Sequence, residues 1–305
     1  MKRIIIFIIA AAFCIGVSAQ EKRWAVVELS AIYMRLQPDY ESPLETQELM
    51  GTVVEITGEK SYWREIVSPQ PYKAWTTEKG LVEMSEEQVK EYEKAAKVMF
   101  TNLHGHVYME PSAKAETICD LVGGDLMRLV RKRGSWTEVM LPSGRKGWVR
   151  SSLLKSHKGF TSIATGEGNA DSISDELMEK IITEAQKFVG VPYLWGGMSA
   201  NGVDCSGLVR ICYLMNGILL PRNASQQILC GDKVPDGIEH LRRGDLVFFG
   251  TPASDGKRQR VTHVGIYLGN NHIIHSSPVV RINSLRPSDA DYYENSHKLI
   301  GATRL

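Results

Sequence analysis

The stretch "GVDCSGLVRICYLMNG", residues 202–217, places a cysteine where an apolar helical pattern begins. Asp204 is typical of a helix N-cap, so the pattern predicts a helix whose first turn contains Cys205. There the helix dipole and the free N–H groups favour a thiolate and can hold an oxyanion. The alternative is that Cys205 is a small buried residue, which is our interpretation of Cys212 further along the same helix.

Two histidines downstream occupy strand-like sequence. His263 lies in "VTHVGIYLG" and His275 in "HIIHSS", and "GNN" between them predicts a hairpin turn. One imidazole on such a hairpin can accept a thiol proton while the other orients it. Each histidine taken alone is also compatible with an ordinary hydrogen-bonded strand residue.

The first half of the chain contains an internal repeat. Residues 49–75 and 121–149 each run from an apolar-Gly start through a strand, a charged turn and an aromatic-rich strand to a closing Trp. The repeat predicts two copies of a small β-barrel, at residues 20–83 and 98–156. Between them the sequence changes to a helical period over residues 84–99, so we assign residues 84–97 to a connecting helix.

The last part of the chain has a different character. Residues 157–173 are rich in Gly, Ser, Thr and Asn and predict a linker. Residues 174–305 combine two helical segments with a strand-rich ending, which indicates an α+β domain.

Composition and the leader restrict the possible partners. The 305 residues carry a net charge of +1, so bulk charge does not favour nucleic acid or an anionic membrane surface. Residues 1–19 have a basic start, a short apolar run and small residues before Gln20, which predicts a cleaved signal peptide and export to the periplasm or exterior. A retained anchor and lipidation at Cys14 stay open, although the apolar run is shorter than the about 20 residues of a membrane span. After cleavage we expect no membrane span.

Four cysteines remain after the predicted cleavage: Cys119, Cys205, Cys212 and Cys230. Cys205 and Cys212 would lie about 10 Å apart along one helix, which is too far for a disulfide. The four form neither a disulfide framework nor the close Cys/His pairs of a zinc site, so we expect a free thiol.

Three motifs together carry a family resemblance. "GVPYLWGGMSANGVDCSGLVR", "RRGDLVFF" and "THVGIYLGNNHIIHSS" resemble the signature of NlpC-type papain-like cysteine peptidases, over about residues 175–305. The repeated strand segments, with "GWV" closing the second, resemble bacterial SH3 (SH3b) domains. With both, the mature chain is similar to the YkfC-like γ-D-glutamyl-L-diamino acid endopeptidases, or dipeptidyl-peptidase VI.

The resemblance implies roles for particular residues. Cys205 matches the nucleophile, His263 the general base and His275 the residue that orients it, with no metal or cofactor. The substrate contacts that it implies in the peptidase domain are Asp204, Ser206, Tyr193, Trp195 and Ser225. In the first SH3b domain, Glu45 of "LETQELMG" and Tyr72 of "QPYKAW" match the stretches that bind a free amino terminus. Each of these substrate contacts also has a structural alternative, as a cap, a core aromatic, a turn residue or a solvated surface residue.

The resemblance therefore implies an exported cysteine endopeptidase that cleaves the γ-D-Glu–diamino acid bond of peptidoglycan stem peptides with a free N-terminal L-Ala. Such an activity suits recycling or scavenging of wall peptides. Two alternatives stay open: a hydrolase of intact cross-linked peptidoglycan anchored by SH3b domains, and an inactive wall-binding protein. No residue of the sequence can be assigned to the choice of diamino acid.

Overall fold

The computed structural model describes residues 22–166, 173–254 and 256–305. The predicted signal peptide, residues 1–19, lies outside the described residues. Within those ranges, every helix falls short of the length and apolar character that a membrane crossing requires.

The first unit is a seven-stranded antiparallel sheet. Its strands are β1 Arg23–Val27, β2 Ala31–Arg35, β3 Leu44–Leu49, β4 Val53–Lys60, β5 Trp63–Val67, β6 Lys73–Thr77 and β7 Leu81–Met84. They are arranged in the order β3-β2-β6-β5-β4-β1-β7 around a small apolar core of their own. Alternation of buried and exposed residues, clearest in β4, explains why these segments form strands with one face inward.

The second unit repeats this topology. Its strands are β8 Lys97–Phe100, β9 His104–Tyr108, β10 Thr117–Val122, β11 Leu126–Arg133, β12 Trp136–Met140, β13 Lys146–Arg150 and β14 Leu154–His157, in the order β10-β9-β13-β12-β11-β8-β14. Even the register repeats, since Glu65 pairs with Trp75 and Glu138 with Trp148. In the described residues the strand pairings leave both sheets open, so a closed barrel and the SH3b assignment stay predictions.

The connecting helix is shorter than the sequence indicated. Helix α1 spans Glu86–Lys94, with Ser85 as N-cap in a capping box with Gln88. It ends because Ala95 adopts extended backbone, with ψ 140°. The following residues, Lys97–Phe100, are strand β8 with buried side chains, because pairing with β11 and β14 outweighs their local helix propensity.

The third unit is α+β. Its helices are α2 Asp175–Lys187, α3 Cys205–Leu214 and α4 Ala224–Gln227. Its strands are β15 Thr161–Ser162, β16 Met198–Ser199, β17 Gly202–Val203, β18 Ile218–Leu219, β19 Asp232–Lys233, β20 Leu246–Thr251, β21 Arg260–Gly269, β22 His272–Ser276, β23 Val280–Ser284 and β24 Leu299–Arg304. A six-stranded sheet in the order β19-β24-β20-β21-β22-β23 packs against the buried α3. The predicted linker contributes β15, which pairs with β18; its residues 167–172 lie outside the described ranges.

One apolar core joins all three units. Leu49 of the first unit and Leu126 of the second belong to the same buried cluster as Leu208 and Ile211 of α3. The backbone N–H of Leu126 also donates to the Met50 carbonyl, 3.0 Å away. This continuous core holds the first unit against the N-terminal half of the third, which matters for the site described below.

Gly51→Ala should destabilise this junction. Gly51 has φ +86°, and a Cβ there would overlap the backbone carbonyl of Leu126. Gly134→Ala is the matched control, since Gly134 has φ +58° but faces open space. We expect about 1–2 kcal/mol of lost stability for the control, from backbone strain alone, and about 1–3 kcal/mol more for Gly51→Ala. If urea denaturation shows equal losses of stability for the two variants, the first and second units do not pack closely at Gly51.

Candidate active site

Helix α3 begins at Cys205 because Asp204 caps it. The Asp204 carboxylate accepts a hydrogen bond from the Gly207 N–H at 2.7 Å, and the Asp204 backbone is extended. Within the described ranges, the N–H groups of Cys205 and Ser206 donate to no protein oxygen. The nucleophile candidate therefore lies in a first turn that offers free donors for an oxyanion.

A buried arginine holds this helix start in place. The Arg222 guanidinium, 2% exposed, binds both carboxylate oxygens of Asp204, at 2.6 and 3.1 Å. It also donates to the Ser206 hydroxyl at 3.0 Å and to the Thr46 hydroxyl of the first unit at 2.8 Å. The side chains of Asp204 and Ser206 are thus already engaged inside the protein.

The two predicted histidines meet on neighbouring strands. Nε2 of His263 on β21 lies 2.7 Å from Nδ1 of His275 on β22, across a hairpin that turns at Asn270 and Asn271 in the left-handed region. Nε2 of His275 lies 3.0 Å from Oδ1 of Asn283 on β23. The polar chain therefore extends one residue beyond the pair that the sequence suggested.

The hydrogen bonds of Asn283 fix the tautomers of this chain. Its Nδ2 donates to the backbone carbonyl of Asp291 at 2.6 Å, so its Oδ1 must accept from Nε2–H of His275. Nδ1 of neutral His275 is then an acceptor, which requires that His263 carries its proton on Nε2. Nδ1 of His263 keeps a free lone pair and can accept a proton.

Burial keeps the reacting groups neutral. Burial is the main cause that raises the pKa of the Cys205 thiol to about 12, and the Asp204 charge acts in the same direction. Hydrogen bonds from the backbone amides of Val264 and Ser206 act in the opposite direction and lower this pKa. Burial also lowers the pKa of His263 to about 3 and that of His275 to about 4. Desolvation of the Cys205 thiol thus opposes the thiolate that the helix start favours.

The first unit forms one wall of the site through strand β3. The Gln47 side-chain oxygen accepts from the Met198 N–H at 2.7 Å, and the backbone of Glu45 packs against Gly196. The Glu45 carboxylate accepts from the Tyr72 hydroxyl at 2.8 Å. Burial, followed by this hydrogen bond, raises the pKa of Tyr72 to about 12. The structure thus brings Glu45 and Tyr72 together beside the segment that leads to Cys205.

The other predicted contacts differ in their positions. Tyr193 is half-buried and its backbone pairs with Val203, two residues before Cys205; burial is the main cause that raises the pKa of its phenol to about 12. Trp195 is 67% exposed and is not a core aromatic. Ser225 is exposed on α4, and no described hydrogen bond connects its side chain to the cluster around Cys205. Its role stays a prediction.

Several residues that surround the site gave no signal in the sequence. They are Thr46, Gln47, Arg222, Asn283 and Tyr293. The ring of Tyr293 lies 4.6 Å from that of His275, centroid to centroid. Arg222 lies in the "PRNASQQ" segment that also contains Ser225, but its partners Asp204 and Thr46 are distant in the sequence.

The described residues include one cluster with metal-ligand atoms, formed by His272, Asp289 and Asp291 within 4.8 Å of one another. His272 lies 3.3 Å from Asp291, and Asp289 accepts a hydrogen bond from Ser284. These contacts account for the cluster without an ion.

The comparisons with known proteins extend over all three units. A family model described as the NlpC/P60 family matches residues 190–300. The chain is 31% identical over 258 residues to a gamma-D-glutamyl-L-lysine dipeptidyl-peptidase of Bacillus cereus (strain ATCC 10987 / NRS 248), covering 82% of this chain and 72% of that protein. It is 28% identical over 270 residues to dipeptidyl-peptidase 6 of Lysinibacillus sphaericus, covering 86% of this chain and 91% of that one.

A crystal structure of an NlpC/P60 family protein from Bacillus cereus ATCC 10987 has the same fold. It superposes with a TM-score of 0.75 at 24% identity, covering 92% of this chain and 99% of that chain. The shared fold therefore includes the two β units as well as the last one.

Arg222→Met should destabilise the protein by about 3–5 kcal/mol, because it leaves the buried Asp204 carboxylate without its cation. Arg243→Met is the control, since the Arg243–Glu179 ion pair is exposed and should contribute less than about 1 kcal/mol. Chemical denaturation measures the free energy of unfolding of both variants. A loss of less than about 1 kcal/mol for Arg222→Met would mean that Asp204 does not depend on this partner.

Alkylation of Cys205 by iodoacetamide should become faster by about tenfold per pH unit between pH 6 and 9, because the thiol stays protonated in that range. The Cys205→Ala variant reports the background from the other thiols. A rate that is already at a plateau below pH 8 would indicate a thiolate–imidazolium pair in the resting site and would contradict the neutral arrangement.

Proposed function

Since the chain belongs to the NlpC/P60 family and is a cysteine peptidase, we propose that it hydrolyses the bond between the D-Glu γ-carboxyl and a diamino acid in peptidoglycan-derived peptides. The proposed substrates begin with a free L-Ala, and the product is a dipeptide. The names of two relatives, a gamma-D-glutamyl-L-lysine dipeptidyl-peptidase and a dipeptidyl-peptidase, support removal of a dipeptide.

In the proposed first step, the Cys205 sulfur attacks the γ-carbonyl carbon while the thiol proton passes to Nδ1 of neutral His263. His275 orients His263 by accepting the hydrogen bond from Nε2. The free amides of Cys205 and Ser206 are suited to stabilise the oxyanion. A neutral starting pair is compatible with this step, because proton transfer and attack occur together.

When the tetrahedral intermediate collapses, the C–N bond breaks and His263 donates its proton to the leaving amine. A thioester remains on Cys205. Water then attacks the thioester carbonyl and gives a proton to His263, and that proton returns to the sulfur as the dipeptide leaves. Tyr193 and Trp195 are the proposed pocket walls for the dipeptide, with Asp204, Ser206 and Ser225 as further proposed contacts.

The observation that carries the substrate proposal is the Glu45–Tyr72 pair beside Gly196. A carboxylate and a phenol oxygen that converge at one end of a site suit an ammonium group. The free α-amine of L-Ala is such a group, whereas in the intact wall that nitrogen is acylated. This favours released fragments over cross-linked peptidoglycan as the substrate.

We also propose that the two β units are SH3b domains and that the leader pattern of residues 1–19 directs export. Outside the cytoplasm, an enzyme that requires a free amine would act after other enzymes have released stem peptides. The proposed role is recycling or scavenging of those fragments.

Cleavage of L-Ala-γ-D-Glu-L-Lys and of its N-acetyl form tests the proposal. Wild type should cleave the free-amine peptide, and Cys205→Ala should not. Glu45→Gln should lower kcat/KM for the free-amine peptide by about 10- to 100-fold, because the ammonium loses its charged partner. Glu41→Gln, at an exposed position of the same unit, is the control and should leave kcat/KM unchanged.

Equal cleavage of both peptides would reject amine recognition and favour the hydrolase of intact wall. Cleavage of neither would favour the wall-binding protein.

A further inference from the structure

Arg281 lies on the catalytic face of the sheet. Strand β23 pairs with β22 so that Arg281 is directly opposite His275 and Asn283 is opposite Ile273. Directly opposed residues project to the same face, and so do residues two apart along one strand. Asn283 bonds His275, so Arg281 and Asn283 both lie on the face that carries His275.

The Arg281 guanidinium has no partner in the described part of the chain. It takes part in none of the side-chain hydrogen bonds or ion pairs there, and its Nε is buried without an acceptor. Two other arginines of the third unit differ, since Arg222 and Arg304 both bind carboxylates. A partly buried guanidinium without an anion is unfavourable on its own, and its planar donors match a carboxylate.

Arg281 is on the imidazole side of the site. Its charge contributes to the lowered pKa values of His263 and His275, after burial. The Arg281 charge also lowers the pKa of Tyr293, whose ring lies 4.6 Å from that of His275, although burial is the main influence and raises that pKa. Because His263 must protonate the leaving amine, this side of the site receives the leaving group. Glu45 and Tyr72 belong instead to the wall formed by the first unit.

We infer that Arg281 binds the free α-carboxylate of the amino acid that is released. The inference rests on the proposed function and adds a specificity that no motif indicated. A peptide that ends at the diamino acid presents this carboxylate, whereas in a longer stem the same carboxyl is an amide. The enzyme should therefore prefer stems that end at the diamino acid.

Three peptides test this inference: L-Ala-γ-D-Glu-L-Lys, its C-terminal carboxamide, and the tripeptide with the D-Glu α-carboxyl amidated. Wild type should show a kcat/KM about 10- to 100-fold higher for the free acid than for the C-terminal carboxamide. Arg281→Gln should abolish that ratio, and Arg281→Lys should restore part of it, because it keeps the charge but loses the planar pair of donors. Arg286→Gln, an exposed arginine on the following loop, is the control and should keep the wild-type ratio.

Other results would overturn the inference. If Arg281→Gln lowers kcat/KM equally for the acid and the C-terminal carboxamide, Arg281 acts on the histidines or on the fold and not on the leaving group. If the Arg281-dependent preference follows the D-Glu α-carboxyl instead, the ligand is on the acyl side and the assignment is wrong.

A binding measurement separates this inference from the proposed function. In the Cys205→Ala background, calorimetry should show tighter binding of the free acid than of the C-terminal carboxamide, and Arg281→Gln should remove the difference. If this Arg281-dependent difference in binding is found but wild type cleaves no peptide, the carboxylate-binding role of Arg281 is supported and the proposed reaction is rejected. Cleavage without an Arg281-dependent difference in binding would keep the reaction and reject the inference.

Discussion

The Arg222 guanidinium connects the start of helix α3 with strand β3 of the first unit. It binds Asp204 just before the nucleophile candidate, Ser206 just after it, and Thr46 on the first unit. Because this arginine is buried, its charge requires the Asp204 carboxylate, and that carboxylate must in turn cap helix α3. The position of the helix start, and with it the orientation of the free amides around Cys205, depends on this one ion pair.

The same packing determines the protonation states. The first unit covers the segment before Cys205, and the third unit buries both histidines, so water is largely removed from the reacting groups. Desolvation disfavours both the thiolate and the imidazolium. The consequence is a resting pair of neutral groups whose proton transfer is coupled to attack on the substrate. Asn283 then matters because it selects the tautomer in which His263 can act as a base.

Local signals in the sequence were enough for part of this arrangement. The Asp204 cap and the turn at Asn270 and Asn271 are short-range features, so they identified the helix start and the hairpin. Helix α1 was predicted too long because residues 95–99 favour a helix locally, whereas sheet pairing makes Lys97–Phe100 a strand. Arg222 and Asn283 were missed because their partners lie on other elements, and no periodicity marks such a pair.

The two proposed charged contacts together restrict which peptides the site can accept. Glu45 lies on the wall formed by the first unit, and Arg281 lies on the imidazole side, opposite His275. A substrate that satisfies both must present an ammonium on one side of the cut bond and a carboxylate on the other. A stem tripeptide such as L-Ala-γ-D-Glu-L-Lys carries both groups, whereas a cross-linked strand of wall has lost both to amide bonds. On this argument each charged contact excludes the polymer independently, and their combination selects short, fully released fragments.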